Sequence, residues 1–193
     1  ANAMAVWQAH RLGLANFSVL CAHVLVPPAM EALLGSPHNR VQGFLAAGHV
    51  CAIMGTTEYD PIAARAHAPI VVTGFEPLDL LHGIATTLGM LERSEVGVSN
   101  QYARAVTRQG NLPAQQLMRQ VFAVCDRQWR GIGMIPDSGL ALRPELAHYD
   151  AEQRFEVIQI TAQESPLCIA GQIMQGRKKP ADCTAFGRGC TPE

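Results

Sequence analysis

Short, uniformly apolar runs that alternate with helical segments between residues 16 and 131 constrain the fold of this chain most strongly. Four of these runs are predicted to be strands, and they span residues 17–20, 43–46, 69–73 and 95–98. The clearest helical segment spans residues 77–92 and has proline in its first turn, where no backbone N–H is needed. A further helix is predicted from Leu112 to Cys125. Apolar strands that alternate with amphipathic helices are typical of a parallel sheet covered on both faces. The sequence therefore predicts an α/β fold, an open parallel-sheet three-layer sandwich.

The sequence changes in character after residue 130. Residues 131–166 mix glycine and proline with a short predicted helix at 145–155, and residues 167–193 are rich in Gly, Cys, Pro and Lys. A segment with so little apolar content is disordered or is organised around a metal. We therefore predict two parts: an α/β domain over residues 1–130, and a small irregular cysteine-containing C-terminal segment over residues 131–193.

Composition limits the classes of partner. With 193 residues, of which 48% are hydrophobic, the chain is large enough to bury a core. The net charge is -1, and basic residues cluster only at 177–179, so neither nucleic acid nor an anionic membrane surface is expected as a partner. No apolar stretch approaches the roughly 20 residues that span a bilayer, and no signal-peptide pattern is present. These features predict a cytoplasmic protein, in which clustered cysteines serve as metal ligands or redox thiols rather than as disulfides.

Polar residues follow each of the four predicted strands. In open α/β sheets ligands bind beyond the carboxyl ends of the strands, so these residues are expected to converge on one cleft. After the first strand come Cys21 and His23. For His23, as for His49, a buried, hydrogen-bonded histidine is the simpler explanation. Glu76 and Asp79 lie at a helix start, where the helix dipole also stabilises carboxylates. The predicted binding residues are His49, Glu76, Asp79, Asn100 and Tyr102.

The six cysteines divide into two groups. Cys21, Cys51 and Cys125 lie within or beside apolar runs, and a buried cysteine commonly packs as a small hydrophobic residue with a raised pKa. The other group lies in the C-terminal segment and consists of Cys168, Cys183 and Cys190. Thiolates in glycine-rich, irregular backbone suit an iron-sulfur cluster, with zinc as the alternative metal. These three cysteines are therefore the predicted metal ligands, and a cluster normally needs a fourth.

Motifs of the common catalytic classes are absent from the sequence. It contains no G-x-S-x-G, no P-loop, no G-x-G-x-x-G after a strand and no H-E-x-x-H. A standalone hydrolase, kinase or dehydrogenase is therefore not supported.

Several collinear segments resemble the HypD family of hydrogenase-maturation proteins, in particular its second domain and its C-terminal part. These segments are residues 16–20, 23–28, 43–50, 74–81, 100–106, 110–111, 129–140 and 180–193. The resemblance implies a 4Fe-4S cluster in the C-terminal part and a complex with the small protein HypC. It also implies that an iron atom is held while cyanide and carbon monoxide are attached, with HypE and HypF supplying cyanide. The implied function is a nickel-iron hydrogenase maturation scaffold that assembles the Fe(CN)2CO unit with HypC and HypE.

The chain departs from the family pattern in three places. The family's N-terminal domain, with its redox cysteine pair and its iron-site cysteine, is absent. Cys168 stands alone where the family has C-x-C-G, and the segment expected after residue 193 is missing. We therefore expect the chain to be part of a longer protein.

Two other functions remain open from the residues alone. One is an α/β enzyme that uses Glu76 or Asp79 with His49 in acid-base chemistry on a small ligand. The other is a zinc-stabilised interaction module without redox function.

Overall fold

The structure is a computed structural model that describes residues 1–156 and 164–191. Its packing forms two compact units, one of residues Ala1–Asn39 with Leu117–Glu193 and the other of residues Arg40–Gln116. Residue 130, where the sequence analysis divides the chain, lies inside the first unit.

The unit Arg40–Gln116 contains a three-stranded parallel sheet in the order β2-β3-β4. The strands are β2 (Phe44–Ala47), β3 (Pro69–Thr73) and β4 (Gly97–Asn100), and every residue of the central strand β3 is buried. Helices α3 (Gly48–Met54), α4 (Tyr59–Ala66) and α5 (Pro77–Glu92) flank the sheet. The predicted α/β class and parallel sheet are confirmed.

The prediction of a strand at residues 17–20 is wrong. Residue Val19 of this run pairs with the chain around the start of helix α7 (Ala151–Arg154), and the run is not part of the parallel sheet. Val19 N–H donates to the Tyr149 carbonyl at 2.8 Å, and the Val19 carbonyl accepts from Ala151 N–H at 3.0 Å. Phe17 packs edge-on against Tyr149, so the apolar character of this run serves the core of the other unit.

The other unit is built on an antiparallel sheet in the order β1-β6-β5. Its elements include α1 (Asn2–Arg11), β1 (His23–Val24), α2 (Val26–Leu34), β5 (Phe122–Trp129) and β6 (Gly133–Leu142). Its core includes the buried side chains of Val6, Val121, Phe122, Leu140 and Tyr149.

A long β-hairpin replaces the C-terminal end of a predicted helix. The sequence predicted a helix from Leu112 to Cys125, but α6 (Leu112–Val121) ends at Val121 and the chain continues directly as β5. From residue 122 the burial alternates along the chain, which is the period of a strand with one face covered. Pairing with β6 therefore decides the conformation of this segment.

The C-terminal segment, predicted to be irregular from residue 131, instead begins with strand β6, whose Leu140 and Leu142 are buried in the core. After β6 its described part is largely irregular and contains a 3-10 helix (Pro144–Tyr149), α7, α8 (Ala170–Met174) and a 3-10 turn (Pro180–Asp182). Among the described residues, no helix combines the length and the apolar character required to cross a membrane.

Candidate functional site

The three parallel strands end at one edge of their sheet. Ala47 pairs in register with Thr73, and Asn100 pairs with Val72, so the segments after β2, β3 and β4 emerge side by side. The structure thus brings the loops of the five predicted binding residues to one edge. We call this edge the strand-end site: His49, Glu76, Asp79, Asn100 and Tyr102, together with Arg104.

An ion pair joins two of these loops. Both Nη atoms of Arg104 donate to the Asp79 carboxylate, at 2.9 Å and 2.6 Å, and the guanidinium carbon lies 4.4 Å from the centre of the Tyr102 ring. The hydrogen bonds from Arg104 hold the pKa of Asp79 below its ordinary value, since they favour the charged carboxylate. Arg104 thus binds the Asp79 carboxylate through its Nη atoms and stacks on the Tyr102 ring.

Two glycines allow the Tyr102 ring to lie against the strand ends. A Cβ on Gly48 would stand 2.5 Å from the ring and 2.6 Å from the Thr73 carbonyl oxygen. A Cβ on Gly74 would overlap the Asp79 carboxylate and lie 2.8 Å from the same ring. No larger residue fits at either position without moving the site.

Asn100 orders the loop that follows β4. Its side-chain oxygen accepts from the backbone N–H of Tyr102 at 3.0 Å, and its side-chain nitrogen donates to the Val106 carbonyl at 2.9 Å. Both ends of the amide are therefore engaged within the loop, so Asn100 acts on Tyr102 by fixing its backbone.

His49 and Glu76 of the strand-end site are exposed and lie beside Phe75, which is not itself a member of the site. The His49 and Phe75 rings lie 5.0 Å apart, and 61% of Phe75 is exposed. The apolar surface continues along α5 through Leu78 and Leu81, which are also exposed. An exposed imidazole and carboxylate beside apolar side chains can bind a partner by mixed polar and apolar contacts.

Cys21 and His23, which were expected beside the other strand-end residues, belong to the other unit. The Cys21 thiol donates to the Leu140 carbonyl at 3.1 Å, and its sulfur is 3.1 Å from His23 Nδ1. Burial raises the pKa of Cys21 and also that of Cys51, as expected for cysteines that pack in a core.

The three cysteines of the C-terminal segment line one cavity of about 310 Å³, which we call the thiol cavity. Its other walls come mainly from α8 and from Phe186. Tight turns present two of the thiols: Cys183 N–H donates to Pro180, and Cys190 N–H donates to Ala185. Distant sequence positions 168, 183 and 190 are thereby brought around a single, mostly apolar space.

Within residues 1–156 and 164–191, no three His, Cys, Asp or Glu side chains converge closely enough to hold one metal ion. The four irons of a 4Fe-4S cluster each take their own thiolate, so cluster ligands surround a space instead of meeting at a point. Three soft thiol donors around an apolar cavity fit three corners of such a cluster. A single zinc ion needs its ligands to converge on one point, and these three thiols do not converge in that way.

Comparison with known proteins identifies the family. The family model described as "Hydrogenase formation hypA family" (HypD) matches residues 1–193. The chain belongs to the HypD family.

Curated relatives agree with this membership. The chain is 43% identical to hydrogenase maturation factor HypD2 of Bradyrhizobium diazoefficiens over 187 residues, which cover 93% of the chain and 49% of the relative. It is 40% identical to HypD of Azotobacter vinelandii over 198 residues and 39% identical to HypD of Escherichia coli K12 over 193 residues. Each of these two alignments covers 100% of the chain and 52% of the relative. The chain thus spans about half the length of the curated relatives it matches.

Some functional features of this HypD-family chain were not predicted from its sequence. Gly48 and Gly74 belong to the resembling segments 43–50 and 74–81, but no role was predicted for them, although a glycine directly after a buried strand can signal a close approach. Arg130, which lines the thiol cavity, belongs to the resembling segment 129–140, but the sequence assigns it no role. Its role depends on a contact between segments 38 residues apart, which no local pattern reveals.

The Asp79–Arg104 pair makes a prediction about pH. In the folded state the pKa of Asp79 is lowered. The ionised carboxylate therefore stabilises the fold at pH values above the pKa that Asp79 has in the unfolded chain. This stabilisation is lost as the pH falls through the lower, folded pKa. We expect Asp79→Asn to decrease the free energy of unfolding near neutral pH, and the difference from the unsubstituted chain to vanish in acid.

Urea unfolding of both chains across an acid-to-neutral pH series measures this difference. Asp60→Asn is the matched control, because Asp60 also pairs with an arginine, Arg108, but its side chain is 38% exposed against 13% for Asp79. A difference for Asp79→Asn that persists unchanged into acid would contradict the prediction.

Proposed function

We propose that this HypD-family chain is part of a nickel-iron hydrogenase maturation scaffold. In this proposal it assembles the Fe(CN)2CO unit together with HypC and HypE, and it holds a 4Fe-4S cluster through Cys168, Cys183 and Cys190. The observation that carries the proposal is the thiol cavity, which gathers three thiols into one apolar space. Membership of the family adds the link to hydrogenase maturation.

The residues of the thiol cavity have distinct roles in this proposal. The three thiolates bind the cluster, and the apolar side chains of α8 and Phe186 limit access of water to it. When bound, the cluster supplies one-electron transfer, which suits the chemistry of attaching diatomic ligands to iron. The turns at Cys183 and Cys190 orient two of the ligands before the cluster binds.

The strand-end site is proposed to contact the partners or the iron cargo. His49 and Glu76 are exposed and can donate or accept hydrogen bonds, and Phe75 with Leu78 offers apolar area beside them. Asp79 is a poor general base, since its lowered pKa and its two bonds to Arg104 oppose protonation. These features favour binding over acid-base catalysis at this site.

The proposed compartment is the cytoplasm, because free cysteine thiols persist in its reducing environment.

The test uses two proteins. One is this 193-residue chain alone. The other, which we call the full-length hybrid, joins this chain to the half of Azotobacter vinelandii HypD that it does not match. We expect the hybrid, purified without oxygen, to contain iron and sulfide and to show the visible absorption that zinc proteins lack. Zinc without iron in the hybrid would refute the proposed cluster.

Complementation tests the maturation role. In an Escherichia coli strain without HypD, we expect the full-length hybrid to restore hydrogenase activity and the chain alone to restore none. The reason is that the resemblance assigns the iron-site cysteine to the family's N-terminal domain, which is not among these 193 residues. Weak HypC binding by the chain alone is compatible with the proposal, and hydrogenase activity restored by the chain alone would contradict it.

A further inference from the structure

Arg130 brings a positive charge to the thiol cavity. It follows β5 at the tip of the β-hairpin, and its Nη2 atom lies 3.8 Å from the sulfur of Cys168. Among the described residues that line the cavity, Arg130 is the one charged side chain. Cys183 and Cys190 line the same cavity, so the guanidinium shares this space with all three thiols.

Close packing fixes the hairpin tip against the C-terminal segment. Gly131 has a φ of +75° and its carbonyl lies directly against Gly171, so neither glycine can carry a side chain. The Gly131 N–H also donates to the Glu164 carboxylate at 2.9 Å. Arg130 is thus placed by backbone contacts on its own side of the cavity, and its position does not depend on a flexible loop.

Arg130 is exposed at the rim of this cavity, and its contact with Cys168 lies beside apolar side chains. Around the thiols stand Ile169, Ile173 and Phe186, and a charge interaction is stronger through such side chains than through water. A 4Fe-4S cluster with thiolate ligands is negatively charged, and reduction adds one more negative charge. Net charge and hydrogen bonds to the sulfurs are the main controls on the potential of such clusters.

We propose that Arg130 is a positioning residue that orients the Cys168 thiolate and raises the reduction potential of the cluster. This inference rests on the proposed function, because it requires a cluster in the thiol cavity. A guanidinium near the thiolates stabilises the reduced cluster, with its extra electron, more than the oxidised one. It also donates to the Cys168 sulfur, which lowers the electron density that the thiolate gives to iron.

The experiment is an anaerobic redox titration of the full-length hybrid with dithionite and mediators, in which each cluster takes up one electron and no bond is made or broken. Visible absorption and the EPR signal of the reduced cluster report the midpoint potential. We expect Arg130→Gln to shift the midpoint to a more negative potential, and Arg130→Lys, which keeps the charge, to shift it less. Arg177→Gln is the matched control, since Arg177 lies between Cys168 and Cys183 in the C-terminal segment but does not line the thiol cavity.

The outcomes distinguish failure of the proposed cluster from failure of the proposed role of Arg130. A hybrid without any cluster would overturn the proposed function and this inference together. A cluster whose midpoint potential is the same in Arg130→Gln and in the unsubstituted hybrid would overturn the inference alone. An equal negative shift in Arg130→Lys and Arg130→Gln would also overturn it, because the effect would then not follow the charge.

Discussion

Replacing Cys183 or Cys190 by serine in the full-length hybrid is expected to remove most of the cluster iron. Both residues line the thiol cavity, and a backbone hydrogen bond within a turn fixes the position of each. Serine binds iron more weakly than a thiolate does, and a cluster held by few protein ligands does not tolerate the loss of one. Cys168→Ser is expected to behave in the same way.

Iron and sulfide content after anaerobic purification measures this effect. Cys125→Ser is the matched control, because Cys125 lies in strand β5 and does not line the thiol cavity. We expect the control to keep its iron. Full iron content in both Cys183→Ser and Cys190→Ser would falsify the assignment of the metal ligands.

Gly48→Ala is expected to destabilise the unit Arg40–Gln116 strongly. The added methyl group would meet the Tyr102 ring and the Thr73 carbonyl oxygen, which belongs to the fully buried central strand and cannot move aside. Overpacking of this kind costs about 1–3 kcal/mol. The displaced ring would also release Arg104 from its stacked position, so the strand-end site should lose its order.

Chemical denaturation of the chain alone checks the predicted loss of stability. Gly89→Ala is the control in the same unit, because its Cβ would meet only the flexible end of the Arg93 side chain. Alanine in a helix is favoured over glycine by roughly 0.5–1 kcal/mol, so this control should be neutral or slightly stabilising. Equal stability of Gly48→Ala and the unsubstituted chain would show that the Tyr102 ring does not need the glycine.

Much of the fold of the unit Arg40–Gln116 could be predicted from sequence. The strand Pro69–Thr73 and the helix Pro77–Glu92 have the predicted bounds, since a continuous apolar run and a proline at the helix start are strong local signals. Polar residues after three parallel strands must also share an edge, because parallel strands end on the same side of a sheet. The edge that carries the candidate binding residues was therefore predictable.

The antiparallel unit was less predictable because its pairings join distant segments. The run at residues 17–20 has the composition of a buried strand, yet its partner is the loop near Asp150, and this pairing depends on where residues 149–151 lie. Residues 122–125 have no local feature that ends a helix, and the strand forms because β6 offers a pairing edge. Tertiary pairing outweighs local propensity in both segments.

The sequence by itself determined the α/β class, the residues of the strand-end edge and the three thiols of the C-terminal segment, since each follows from a local pattern of residue types. Only the tertiary structure decided that Arg104 occupies the Asp79 carboxylate, that Gly48 and Gly74 make room for Tyr102, and that Arg130 faces Cys168. The physical reason is that these are contacts between segments far apart in the chain. Their distances depend on how the elements pack, and no local spacing of residues encodes that packing.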